Sequence, residues 1–128
     1  MTPHEMAEEV HRLSSLIDAG IRTMREQAEA RADAEATYRK AKAEAWARCP
    51  NDAHDVKAGE REWTAARREA WVNAETADLR RARDYAEAIE KAAIESGRSR
   101  RAQLSALQSL LSAHRAEAEF VRTTGGPS

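Results

Sequence analysis

The sequence predicts an all-α fold: an elongated antiparallel helical hairpin of coiled-coil type, followed by a third C-terminal helix and assembled as an oligomer. Three observations predict it. From His4 to Cys49 there is no proline and a single glycine, so about forty-five residues can run as one helix. At about 1.5 Å per residue such a helix is on the order of 65–70 Å long, which favours a rod over a globule. The composition is helical, with 28 alanines among 128 residues and Glu and Arg abundant. Large apolar residues recur at steps of three and four, the spacing of a coiled-coil seam.

The same composition predicts assembly. Leu, Ile, Val and Phe together number only 16, a thin supply for a folded core. A net charge of −1 keeps the chain from repelling itself, so order is expected over disorder. A thin apolar stripe on long helices gives little burial per residue, and the shortfall points to a homo-oligomer.

The first helix is expected over about residues 3–48. Thr2 is an N-cap, Pro3 suits the first helical position, and Glu5 completes a capping box. Its stripe is Met6, Val10, Leu13, Ile17, Met24 and Tyr38, thinning to alanines such as Ala28, Ala41 and Ala45. Gly20 marks a mild bend or a close contact. Cys49-Pro50 stops the helix, and Asn51 or Asp52 caps the next one, expected over about 53–96 with weak first turns at Gly59. The short connection makes the pair an antiparallel hairpin, with Trp46 and Trp63 packing near its turn. Ser96-Gly97 reads as a helix end. A third helix capped by Ser99 follows over about 99–122, carrying Leu104, Leu107, Leu111, His114, Ala118 and Val121 at alternating steps of three and four. Residues 123–128 form a flexible tail, and residues 1–122 one helical domain. The surfaces expected to meet a partner are Leu104, Leu107, Leu111 and Val121, with Val10, Leu13 and Ile17 on the first helix.

Charge is distributed unevenly. Residues 1–50 carry nine acids and eight bases, whereas residues 98–128 carry two and five. Most charges pair at helical spacing, as Glu8 with Arg12, Glu35 with Arg39, Glu44 with Arg48 and Glu87 with Lys91, each contributing a few tenths of a kcal/mol. Arg98, Arg100 and Arg101 crowd the expected start of the third helix, where the macrodipole opposes cations. Helix-start amides with arginine forks suit phosphate; the alternative is that these arginines pair with acids of the second helix. Arg80, Arg81 and Arg83 form a second basic run, with Asp78, Asp84 and Glu87 near enough to neutralise it. A pI near 6.4 opposes tight nucleic-acid binding by a monomer, and repetition of the patch around a ring would offset that.

Other chemistry is missing. One cysteine, Cys49, excludes an internal disulfide and suits a reducing cytoplasm, where the protein is expected. No charged-then-apolar leader and no run of eighteen apolar residues occurs. His4, Glu8 and His11 share a helix face, without the HExxH or cysteine pairs of established zinc sites, so no metal is expected. Glycine-rich phosphate loops, nucleophile elbows and dinucleotide fingerprints are absent, so the expectation is a protein without catalytic activity or cofactor.

The run Ala36-Thr37-Tyr38-Arg39-Lys40-Ala41-Lys42-Ala43, the alternating stretch Glu69–Lys91, Gly97-Arg98-Ser99-Arg100-Arg101-Ala102-Gln103-Leu104 and the closing Leu107–Glu119 resemble the UvsY-like recombination mediators, small helical proteins of tailed-phage recombination modules. The resemblance spans about residues 25–122. It implies an oligomeric helical ring in the host cytoplasm that binds single-stranded DNA and helps to load a recombinase. On that view Arg98, Arg100 and Arg101 contact DNA, with Arg80, Arg81 and Arg83 next. The alternative function is a coiled-coil scaffold, adaptor or regulator that binds a protein and touches no nucleic acid.

Overall fold

A computed structural model describes residues 1–50 and 63–124. Among the described residues there are three helices and no strand: α1 (Pro3–Arg48), α2 (Ala65–Glu75) and α3 (Ala77–Thr124). The all-α fold is as the sequence predicts. The chain divides into two compact units, Met1–Arg25 with Lys91–Ser128, and Glu26–Glu90.

The expected start of α1 forms in full. The Thr2 hydroxyl accepts from the Glu5 amide at 3.1 Å, and the Glu5 carboxylate accepts from the Thr2 amide at 3.2 Å, so two otherwise orphaned donors are satisfied. The expected caps at Asn51 and Asp52, the start of a helix near 53 and the weak turns at Gly59 lie outside the described residues. So do positions 125–128 of the expected tail. Thr123 and Thr124 belong to α3, and their hydroxyls bond back to carbonyls of the preceding turn.

Two boundaries differ from expectation. The helix break is at Thr76 and not at Gly97, so no helix starts at Ser99. Thr76 is 2% exposed, and its hydroxyl donates to the Val72 carbonyl at 2.8 Å. The Thr76 amide donates to the same carbonyl at 3.1 Å, and the backbone there stands at φ −108, ψ 9. α2 is capped at its other end by Thr64, whose hydroxyl accepts from the Arg67 amide at 3.1 Å. Gly97 sits in the interior of α3, with no proline near to force a stop. Glycine there costs about 1 kcal/mol, less than the packing that holds α3 along α1.

In the unit built from both chain ends, the first turns of α1 run antiparallel to the later part of α3. Leu16 lies by Arg100 and Met24 by Gly97. Met6, Leu13 and Leu111 are buried. Between them Val10, Ile17, Gly20 and Met24 on α1, and Gly97, Arg100, Leu104 and Leu107 on α3, are half-buried. Both series advance by threes and fours. The seam expected from Leu104 onward therefore continues upstream through Gly97. A Cβ added at Gly97 would meet the Met24 sulfur at 3.5 Å, an ordinary contact. Gly97→Ala is accordingly expected to raise stability by about 1 kcal/mol, measurable as a higher urea midpoint; a loss of stability would show that the helix does not pass through this position.

In the second unit, α1 from Glu26 onward packs on α2 and the beginning of α3. Arg31 pairs with Glu90, and Arg83 with Glu35 and Asp84. The Arg83 guanidinium also stands 4.5 Å over the ring of Tyr38, which is buried. Beyond Tyr38 the alanine-thinned stripe closes on a small core of Ala45, Cys49 and Val72, with Trp46, Trp63 and Trp71 packed against it. The aromatic packing expected of Trp46 and Trp63 is thus present, reinforced by Arg67 3.9 Å over Trp63 and Arg68 5.3 Å over Trp46.

Surface pairs follow the expected spacing in part. Glu35 pairs with Arg39 at 2.8 Å. Arg12 takes Glu9 instead of Glu8, and Glu8 faces His4 at 3.0 Å. The Arg12 guanidinium, by hydrogen bond first and charge second, holds the Glu9 carboxyl below its ordinary range. A lowered carboxyl contributes above its unfolded-state pKa and loses that contribution as acid protonates it. On so exposed a helix face the contribution is small.

Candidate functional site

Of the six arginines proposed to hold phosphate, three are engaged within the chain. Because α3 is continuous, Arg98, Arg100 and Arg101 stand in mid-helix, where every backbone amide is spent on the helical ladder and no macrodipole end is near. The helix-start anion site is therefore not formed. Arg98 pairs with Glu95 at 3.1 Å, one turn away. Arg100 folds across the seam and donates to the Leu16 carbonyl at 3.5 Å. Arg83 is held by Asp84, Glu35 and Tyr38, and its guanidinium is pushed above its ordinary pKa, chiefly by the hydrogen bond to Asp84. Arg80, Arg81 and Arg101 are exposed and have no side-chain partner among the described residues. Arg80 and Arg81 are neighbours in the second unit, and Arg101 belongs to the unit built from the chain ends.

The expected partner surface is placed differently too. Leu104, Leu107 and Leu111 on α3 and Val10, Leu13 and Ile17 on α1 lie along the seam of their own unit, with Leu13 2% exposed. Each helix is the other's partner, so these residues are covered within one chain. Val121 is the exception at 60% exposed, accompanied by Phe120 at 66% and Leu110 at 52%. The seam spacing runs on through His114, Ala118 and Val121, all exposed. Beside Leu111 and His114, where Pro3 and His4 begin α1, the surface opens into a groove of 350 Å³. A second open groove, of 330 Å³, is lined by Leu16, Ala19, Thr23, Ala93, Ser96 and Arg100.

The sequence marks this end of α3 in one further way. Between Arg101 and Arg115 no Asp, Glu, Lys or Arg occurs on any face of the helix, in a chain of which these four make up 34%. A solvated helix normally carries charge on its outer face. Here the outer face offers Ser, Ala and Gln around Leu110, which is what a helix covered on more than one side requires.

Among the described residues no cluster of His, Cys, Asp or Glu is arranged to hold a metal, and no helix is long and apolar enough to cross a membrane. Cys49 is buried between α1 and α2, its thiol directed to the carbonyls of Pro50 and Arg68. No family model, curated protein or solved structure matches the chain.

Proposed function

We propose that the protein is a non-catalytic coiled-coil module that binds another protein, as a scaffold or adaptor, through the uncharged and apolar stretch at the end of α3. The observation that carries this is the exposure of Leu110, Phe120 and Val121, the last lining an open groove with His114, Glu117 and Ala118, in a unit in which Met6, Leu13 and Leu111 are the buried apolar residues among those described. Exposed large apolar residues clustered on one helix mark interaction sites. Helix-in-groove docking reads such anchors at spacings of three and four. The ion pairs of Arg83 with Asp84 and Glu35, and of Arg98 with Glu95, favour this over the recombination-mediator reading, which needs those side chains free for phosphate.

Replacing Leu110, Phe120 and Val121 with Ser tests it. Helicity by circular dichroism is expected to stay, and capture of any stoichiometric protein partner, the chain itself included, is expected to fall at least tenfold. Binding of single-stranded DNA at low salt, lost on Arg80→Ala, Arg81→Ala and Arg101→Ala, would overturn the reading and restore a nucleic-acid role.

A further inference from the structure

The exposed anchors and the second groove lie on the same helix and the same unit. Next to the seam on α3 runs a second stripe, Ser96, Ser99, Gln103, Ala106, Leu110 and Ala113, again at steps of three and four and without a charge. It continues to Glu117 and Phe120. Phe120 is 66% exposed, and Ser96, 24 residues earlier, lines the 330 Å³ groove with Leu16 and Ala19. At 1.5 Å per residue the two are about 36 Å apart on α3, so a single chain's Phe120 cannot reach its own groove along this straight helix.

Arg100 supplies the second observation. Its guanidinium lines that groove and is half-buried, yet among the described residues its one bond is the long contact to the Leu16 carbonyl, and no carboxylate meets it. A guanidinium has five donors, and a partly desolvated cation is stabilised by an acid. Glu117, on the Phe120 end of the same stripe, is exposed and also has no partner among the described residues.

We propose that the partner is a second copy of this chain, docked antiparallel along α3 about a two-fold axis at Gln108. This rests on the protein-binding reading above and names its partner. In that register each Phe120 enters the other copy's groove at Ser96, Leu110 packs beside the other copy's Ala106, and Glu117 reaches the other copy's Ser99 and Arg100. The contact is isologous, so every interaction occurs twice and the assembly closes as a dimer. Parallel pairing along the same stripe would set Glu117 against Glu117 and leave both Arg100 groups without an acid, and like charges at a contact select against it. Gln103, Ala106, Leu110 and Ala113, the stripe's positions at the middle of the interface, accordingly carry no charge.

Sedimentation and light scattering of the full chain are expected to give twice the 14.2 kDa monomer mass. Phe120→Asp is expected to weaken self-association at least tenfold with helicity retained. Glu117→Arg is expected to do the same, and combining it with Arg100→Glu to restore the dimer. In a Cys49→Ser background, mixing Ser96→Cys chains with Phe120→Cys chains is expected to form the mixed disulfide under mild oxidation. A monomer at all concentrations overturns the proposal, as does a dimer unaffected by Phe120→Asp or one cross-linked only between two copies of position 120. A monomer that still captures a different protein through Phe120 removes the second copy as partner and leaves the protein-binding reading standing.

Discussion

Leu13→Ala is expected to lower the stability of the unit formed by the chain ends by about 2–5 kcal/mol. Leu13 is 2% exposed and, with Val72, one of the two largest side chains in the described structure with essentially no solvent contact. Among the described residues its unit buries two further apolar side chains, Met6 and Leu111, so there is little material to collapse into the vacated space. The cost of a large-to-small change rises with the cavity that persists. Urea unfolding followed by far-UV circular dichroism measures it. A change under about 1 kcal/mol, typical of a surface position, would mean that the seam is not packed at this layer.

Gly97→Pro is the second large effect, expected at about 3 kcal/mol or more. Were Ser96-Gly97 a helix end, proline there would be tolerated, since chain breaks accept it readily. Inside a continuous α3 it removes a ladder hydrogen bond, crowds the carbonyl four residues earlier, and kinks the helix where Met24 meets it. Loss of helicity with a lowered urea midpoint is the expected result; an unchanged midpoint would restore the break. Paired with the opposite sign expected of Gly97→Ala, the two substitutions at one position separate backbone geometry from side-chain contact.

The local signals were the ones legible in the sequence. Thr2 and Glu5 form their capping box because both partners lie within one turn, and local hydrogen bonds need no tertiary information. Met6 to Ile17 and Leu104 to Leu111 were legible as seams because large apolar residues sit on a fixed helical period. The seam between Gly20 and Gly97 was not. There the positions are held by glycines, which have no apolar signature; in the second unit Arg31 and Glu90 likewise show their role only by facing each other. Thr76 was equally silent. Nothing in a single buried threonine says that its hydroxyl will bond the Val72 carbonyl at the end of a helix.

The candidate site followed the same division. Arg98, Arg100 and Arg101 stood out because a glycine before them suggested a helix start. A glycine weighs about 1 kcal/mol against a helix, and burial of Met24, Leu104 and their neighbours outweighs it, so the helix continues and the proposed anion site loses its free amides. Phe120 and Leu110 carried no distinction in the sequence, since an apolar residue on a seam and one beside it differ by a single position.

The sequence by itself determined that this protein is helical, where α1 begins, and that its large apolar residues are few and fall on a helical period. Those are properties of helix propensity and period, each decided within a turn or two. Only the tertiary structure decided that α3 runs unbroken through Gly97, that Arg83 and Arg100 turn inward, and that Leu110, Phe120 and Val121 are left exposed. The reason is that each of those outcomes depends on which face of one helix meets which face of another, and that choice is fixed by burial between positions some eighty residues apart.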